Sequence, residues 1–397
     1  MLTFGQVLDR NKGIGPGFDF LRIGLALTIV ATHTLMLTGN ADLLNQTPFW
    51  FLKLGLVPMF FALVGFLVTA SGLRLSLKNF LINRGIRIIP ALGVDVLVCA
   101  LILGPLVTTV ALSDYFCSPS FYSYFLNILG FIHYKLPGVF DYYPDSKVNG
   151  ALWTVPYEIL CYIFISLLIF LRWLSSAAKV IAVTLAYWGF GALMAATGAP
   201  DHLPHMVGKI IEVVFISNGA RIVTAFLIGI VLYQLRAHIP YSKRLFVLSI
   251  SICLFTAGTH QTQSPYHIFY SALLLPALAY LTIFIGLTRV PIPQYFHKGD
   301  YSYGIYLYHY PFIHLIIINF WDISRTPVWG ALFTYALIVP MILGVSYISW
   351  RFIEKPTLAM RKKFSYVARV RDLGDSTETK PPAAAPIPLQ PATGNTA

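Results

Sequence analysis

The sequence predicts an all-α membrane protein, a bundle of about ten transmembrane helices with both termini in the cytoplasm. Three observations support this fold class. The 397-residue chain is 57% hydrophobic and only 11% charged, whereas charged residues make up about a quarter of a soluble domain. Its mean hydropathy is +0.70, and the apolar residues form runs long enough to cross a bilayer. The third observation is the distribution of basic residues, which sets the orientation.

Ten apolar runs alternate with short polar or basic segments. The predicted spans lie near 19–37, 50–72, 88–112, 152–171, 180–197, 213–235, 245–258, 266–287, 302–320 and 328–350. On this arrangement 22 of the 28 lysines and arginines fall on the side of the termini and 6 on the other side. The positive-inside rule therefore makes the side of the termini cytoplasmic. Topology accounts for the net charge of +12, so the expected partner is the lipid bilayer and not a nucleic acid.

The first span carries Arg22 near its start and His33 near its end, with ten uncharged residues between them. Ionisable groups inside an apolar span are costly and usually functional. Eleven helical steps bring both side chains to one helix face, about 16 Å apart along the axis. Asp19 lies one turn before Arg22 and can pair with it. The pattern predicts two ends of one elongated site.

Charged residues also lie near two other spans. Arg84 and Arg87 share one helix face immediately before the third span. Paired guanidinium groups suit phosphate, although a topological role explains them equally well. Glu158 lies in the outer part of the fourth span, at a depth similar to that of His33. The two side chains could meet across the bundle, or Glu158 could be a structural carboxylate.

Further polar or aromatic side chains lie close to these groups or in later spans. The possible substrate-site residues are Asp19, Trp153, Tyr157, Arg221, Ser302, Tyr303 and His309. The sequence contains no metal-ligand cluster such as HExxH, so we expect no metal. Residues 113–151 form an outer loop rich in tyrosine and phenylalanine, which suits either an aromatic belt at the interface or stacking against a sugar.

Two regions differ in composition. Residues 1–364 form the membrane domain. Residues 365–397 are polar and then rich in proline and alanine, which predicts a disordered cytoplasmic tail.

Several short stretches, taken in order, resemble the integral-membrane acyltransferase 3 family, which includes bacterial O-acetyltransferases of cell-surface polysaccharides. They are Asp19-Phe-Leu-Arg22 with ten residues before His33, then VPMFFALVGF, NRGIRIIP, VNGALWTVPYE, SYGIYLYHYP and WRFIEKP. The chain departs from the family at Val64 and Ala151, where serine is frequent. It also has no C-terminal esterase-like domain, so the resemblance is to the stand-alone form.

The resemblance implies a ten-span acyltransferase domain in the inner membrane of a bacterium. It implies that Arg22 and His33 form the signature pair, that Glu158 is the membrane carboxylate, and that Arg84 and Arg87 form a cytoplasmic basic motif. The donor would be acetyl-CoA or another acyl-CoA, used as a substrate with no tightly bound cofactor. The acceptor would be a hydroxyl of an extracytoplasmic or lipid-linked glycan.

On this basis we expect His33 and Glu158 to be catalytic and Arg22, Arg84 and Arg87 to bind the donor phosphates. Two chemical routes are open. His33, oriented by Glu158, could act as a general base in direct transfer, or His33 or another group could carry the acyl group as a covalent intermediate. A different functional class, a proton-coupled transporter of a small solute, would also place His, Glu and Arg inside the membrane.

Overall fold

The computed structural model of the chain describes residues 1–13, 15–47, 50–141, 146–258, 267–291 and 299–360. These residues form helices and no strand, apart from an isolated antiparallel bridge between Thr3 and Pro240. The all-α prediction is therefore confirmed for the part of the chain that is described. The predicted disordered tail, 365–397, lies outside the described residues.

Eighteen α-helices follow one another along the described chain. They are α1 (Phe4–Arg10), α2 (Phe18–Leu37), α3 (Ala41–Asn45), α4 (Trp50–Gly72), α5 (Leu77–Val98), α6 (Gly104–Val107), α7 (Leu112–Cys117), α8 (Pro119–Tyr124), α9 (Val155–Phe170), α10 (Ala177–Thr197), α11 (His205–Ile211), α12 (Asn218–Gln234), α13 (Lys243–Gly258), α14 (His267–Leu287), α15 (Ser302–Asn319), α16 (Trp321–Ser324), α17 (Trp329–Ser349) and α18 (Lys355–Ala359). Short 3-10 segments occupy Phe125–Leu129, Gly150–Thr154 and Ala199–His202, and π-turns occupy Cys99–Leu103, Glu212–Ile216 and Trp350–Glu354.

Six helical stretches of the described chain are long and apolar enough to cross a membrane. They are Phe18–Leu37, Leu52–Gly72, Leu77–Val107, Gly150–Phe170, Ala177–Thr197 and Trp329–Ala359. A seventh candidate is the pair His205–Ile216 and Asn218–Gln234, which is bent by 44°. Helices α13, α14 and α15 occupy the other three predicted spans. The protein is thus a helical membrane protein, while the count of ten spans and the cytoplasmic termini stay predictions.

The helix that contains the third predicted span is longer than the span itself. We predicted it near 88–112, but α5 begins at Leu77 because the Ser76 hydroxyl caps its N-terminus by accepting from the Asn79 amide. The helix then continues through the π-turn and α6 to Val107, a total of 31 residues. Arg84 and Arg87 therefore lie on the same continuous helix as this span, and their predicted position on one helix face agrees with it.

Helices α4 and α12 cross in close contact through two glycines. A Cβ atom on Gly65 would collide with the carbonyl oxygen of Phe226, and one on Gly229 would collide with that of Ala62. Small residues at a crossing let two backbones approach closely, which is a common way of packing membrane helices.

Helix α15 packs against α2 and α17 and contains a proline. Pro311 has no N–H to donate to the Leu307 carbonyl one turn earlier. The buried Asn149 side chain donates to that carbonyl instead, at 2.9 Å, and also to the Asp95 carboxylate at 2.9 Å. Asn149 thus fixes α15 to α5 and to the segment that enters α9.

Candidate active site

A cavity of about 410 Å³ lies among α2, α4, α5, α9 and the start of α15. Its volume falls in the range of small-molecule sites. One part of the wall is apolar and comes largely from α4, including Phe60, Phe61 and Val64. The polar and charged part of the wall includes Arg22, Arg84, Arg87, Glu158, Asp300, Ser302, Tyr303 and Tyr306. The fold therefore gathers all three predicted donor-binding arginines around one space.

Asp300 holds two of these arginines together. Its Oδ2 atom accepts from Arg87 at 2.5 Å and from Arg22 at 3.1 Å, and its Oδ1 atom accepts from the Ser302 hydroxyl at 2.6 Å. Burial disfavours the charged form of this carboxylate, but the positive charges of Arg87 and Arg22 and the hydrogen bonds outweigh it and hold the pKa of Asp300 below its usual range. Asp300 thus holds the guanidinium groups of Arg22, on α2, and Arg87, on α5, close to one shared carboxylate oxygen.

Arg84 behaves differently from the other two arginines. Among the described residues it makes no ion pair, and its Nε atom is buried without a hydrogen-bond partner. The guanidinium carbon lies 5.6 Å from the centre of the Phe80 ring and 5.8 Å from that of Tyr162. A half-buried cation that faces a cavity with unused N–H donors is suited to binding an anion.

Glu158 also faces this cavity, but it does not contact His33. Its Oε1 atom accepts from the Tyr162 hydroxyl at 2.8 Å, and the described residues provide neither a hydrogen bond nor an ion pair between Glu158 and His33. The expected pairing is wrong because Glu158 lies in the first turn of α9, which packs against α5. Its carboxylate lines the same cavity as the three arginines, whereas His33 faces α15.

The partner of His33 is His309 on α15. His33 Nδ1 lies 2.7 Å from His309 Nε2, and the two rings are within 6° of parallel. The Nδ1 atom of His309 lies 3.1 Å from the Ile305 carbonyl oxygen, and its side chain is fully buried. Tyr310 packs edge-on against His33, with 5.3 Å between ring centres. His309, predicted only as a possible substrate-site residue, thus contacts the predicted catalytic histidine directly.

Tyr306 connects the cavity to the histidine pair. Its ring lines the cavity and lies 6.1 Å from the ring of His309. Its hydroxyl donates to the Ala151 carbonyl at 3.1 Å and lies 2.8 Å from the Thr154 hydroxyl. These bonds fix α15 to the turn before α9. A basic cavity and a pair of imidazoles are therefore adjacent, with Tyr306 between the two groups.

The other predicted site residues divide into two groups. Ser302 and Tyr303 line the cavity, and the Tyr303 hydroxyl donates to the Ile88 carbonyl. Asp19 lies 4.0 Å from Arg22, as its spacing predicted, but it is 43% exposed and outside the cavity wall.

A second group lies elsewhere, around the bend between α11 and α12. Arg221 donates to Asn218 at 2.5 Å, and the Tyr157 hydroxyl donates to the Val213 carbonyl at 3.4 Å. Trp153 packs on Tyr157. The structure therefore does not bring Trp153, Tyr157 or Arg221 into the cavity.

Comparison with known proteins assigns the chain to a protein family. A family described as "Acyltransferase domain", the acyltransferase 3 family, matches residues 16–351. The chain belongs to this family. The match covers every residue of the cavity and of the histidine pair, and it identifies an enzyme, so the transporter alternative is set aside.

Two curated relatives of this acyltransferase span nearly its whole length. One is nodulation protein 10 of Rhizobium leguminosarum bv. viciae, 26% identical in an alignment of length 388 that covers 92% of this chain and 98% of the relative. The other is an O-acetyl transferase of Shigella phage Sf6, 23% identical in an alignment of length 348 that covers 85% of this chain and 94% of the relative. No solved structure matches significantly.

Asp300, which holds Arg22 and Arg87 at the candidate site, was not among the residues predicted from the sequence. A signal was available, because Asp300 lies two residues before Ser302 at the predicted cytoplasmic end of a span, the same end as Arg22 and Arg87. Buried or half-buried arginines need a counter-ion. A search for an acidic residue at that end would have found Asp300.

Proposed function

We propose that this acyltransferase moves an acetyl group from acetyl-CoA to a hydroxyl of a cell-surface glycan, across the inner membrane of a bacterium. The observation that carries the proposal is an arginine-lined cavity next to a histidine pair, with Tyr306 between them. The name of the Shigella phage relative, an O-acetyl transferase, supports acetyl as the group and oxygen as the acceptor atom. An extracytoplasmic or lipid-linked glycan is the acceptor that the predicted topology favours.

The cavity is the donor end of the proposed site. Arg84 offers a guanidinium with no counter-ion among the described residues, and Arg22 and Arg87 keep N–H groups beyond those that bind Asp300. A guanidinium has five N–H donors, so it can hold a carboxylate and a phosphate at once. The apolar wall formed by Phe60 and Val64 suits the flexible arm of a CoA thioester.

Glu158 belongs to the donor end in this proposal. It faces the same cavity as Arg84 and Arg87 and is held by Tyr162. A carboxylate among three arginines and Asp300 limits the net positive charge of the empty cavity. We therefore assign Glu158 to the donor pocket and not to the orientation of His33.

The histidine end performs the chemistry. His33 takes the proton of the acceptor hydroxyl as the hydroxyl oxygen attacks the thioester carbonyl. The new C–O bond forms, the C–S bond breaks, and the proton on His33 passes to the leaving thiolate. The products are an acetyl ester and free CoA, and His33 returns to its neutral form. This direct route needs no acyl-enzyme intermediate.

The proposal is tested with membranes that contain the full chain and radiolabelled acetyl-CoA, and with mass spectra of surface glycans from a deletion strain. Deletion should remove base-labile acetyl groups, and the wild-type gene should restore them. His33→Gln should restore none, because removing a general base lowers the rate by about 10²- to 10⁴-fold.

The control is His238→Gln, since His238 is exposed and remote from the cavity. It should restore acetylation fully. Unchanged glycan spectra on deletion would refute the proposed function. A wild-type rate for His33→Gln, with His238→Gln also active, would refute the role of His33 alone.

A further inference from the structure

The contact between His33 and His309 fixes which nitrogen of each ring carries a proton. His309 Nδ1 lies 3.1 Å from the carbonyl oxygen of Ile305, which can only accept a hydrogen bond. His309 Nδ1 is therefore the N–H donor. A neutral imidazole has one N–H, so His309 Nε2 carries a lone pair.

The protonation of His309 in turn determines that of His33. His309 Nε2 lies 2.7 Å from His33 Nδ1, and one of these two atoms must donate. Because His309 Nε2 carries the lone pair, His33 Nδ1 carries the proton. The remaining nitrogen of His33, Nε2, is then unprotonated and free to accept a proton from a substrate.

We propose that His309 is a positioning residue that holds His33 in the tautomer with a basic Nε2. The inference rests on the proposed function, in which His33 is the general base, and it names the atom that acts. The tautomer and orientation of a catalytic histidine are commonly set by the hydrogen bond at its other nitrogen. In this protein a buried neutral imidazole fills the position that a carboxylate fills in many hydrolases.

The surroundings make this arrangement rigid. His309 is fully buried, and its own helix is fixed within the turn that precedes it. The Tyr306 hydroxyl is bonded to Ala151, and the Leu307 carbonyl accepts from Asn149. The Tyr310 ring packs edge-on against His33.

The proposed reaction keeps His309 unchanged. When His33 Nε2 takes the hydroxyl proton, the resulting imidazolium keeps its Nδ1 proton and donates it to His309 Nε2. That bond becomes charge-assisted and so strengthens as the transition state is approached. The proton on Nε2 then goes to the thiolate of CoA. His309 therefore contributes to kcat and not to donor binding.

The first test is kinetic and uses two variants of the full chain in membranes. His309→Phe fills the space but provides no acceptor, and we expect kcat to fall about 100-fold with the KM for acetyl-CoA unchanged. His309→Gln can accept from His33 through its side-chain oxygen, and we expect a loss of only about tenfold. His238→Gln is the control. The proposal would be overturned if kcat fell equally in His309→Phe and His309→Gln. It would also be overturned if a rise in the KM for acetyl-CoA accounted for the lost activity.

The second test reads the tautomer without activity. Nitrogen-15 NMR of histidine-labelled protein in lipid, with His33→Gln to assign the signals, should show His33 protonated at Nδ1 and unprotonated at Nε2. In His309→Gln, His33 should keep this single tautomer. In His309→Phe it should not. A wild-type His33 protonated at Nε2 would overturn the inference. Wild-type membranes that transfer no acetyl group would instead refute the proposed function, while the NMR result would still decide the tautomer.

Discussion

Arg87 and Asp300, 213 positions apart in the chain, are joined by a hydrogen bond of 2.5 Å at the wall of the cavity. Asp300 also accepts from Arg22. One carboxylate thus links α2, α5 and the start of α15 and separates two arginines that would otherwise repel each other. The same contact stabilises the bundle and arranges the cations that we assign to donor phosphates.

Removing the charge of Asp300 should destabilise the protein. In Asp300→Asn, Arg22 and Arg87 lose their shared counter-ion. Uncompensated buried charges cost about 3–5 kcal/mol, and we expect a smaller loss of about 1–3 kcal/mol because the three side chains are still 14–27% exposed. The measurement is the melting temperature of the purified protein in detergent. Asp19→Asn, at the exposed partner of Arg22, is the control and should change it little. Equal melting temperatures for Asp300→Asn and wild type would contradict this account.

The contribution of Asp300 should depend on pH in one direction. Its pKa is lower in the folded protein than in the unfolded chain. The stabilisation is therefore complete above the unfolded value, about 3.9, and is lost as the pH falls towards the folded value. The difference in melting temperature between wild type and Asp300→Asn should stay constant from about pH 8 to about pH 5 and shrink below about pH 4. A difference that disappears between about pH 7 and about pH 5 would point to another titrating group.

Removing the charge of Arg84 should affect donor binding and not folding. Arg84 makes no ion pair among the described residues, so Arg84→Gln breaks none. A charge-assisted bond to a phosphate contributes about 1.5–3 kcal/mol, so the KM for acetyl-CoA should rise about ten- to a hundredfold. Arg74→Gln, an exposed arginine at the end of α4, is the control. An unchanged KM for Arg84→Gln would remove Arg84 from the donor pocket.

The crossing of α4 and α12 should not tolerate a methyl group. Gly65→Ala places a Cβ against the Phe226 carbonyl, and such overpacking costs about 1–3 kcal/mol. Gly189→Ala in α10 is the matched control, because nothing lies within 4 Å of its added Cβ. Alanine should stabilise that helix by up to about 1 kcal/mol. The two variants should therefore shift the melting temperature in opposite directions, and a similar shift in both would contradict the close crossing at Gly65.

Local features of the fold could be predicted well. The helical class and the membrane location followed from apolar runs, whose length and composition are properties of single helices. The hydropathy pattern did not show how far the helix of the third span extends, because the apolar run starts near 88 while the helix, capped by Ser76, starts at Leu77.

The sequence by itself determined that Arg22 and His33 share one helix face, because the 3.6-residue period relates residues of a single helix without reference to any other. The sequence also identified the arginines, histidines and glutamate as candidate site residues, because ionisable groups are rare in apolar spans. Only the tertiary structure decided their partners: Asp300 for Arg22 and Arg87, His309 for His33, and Tyr162 for Glu158. The physical reason is that a hydrogen bond or ion pair needs contact within a few ångströms, and the packing of separate helices sets that distance.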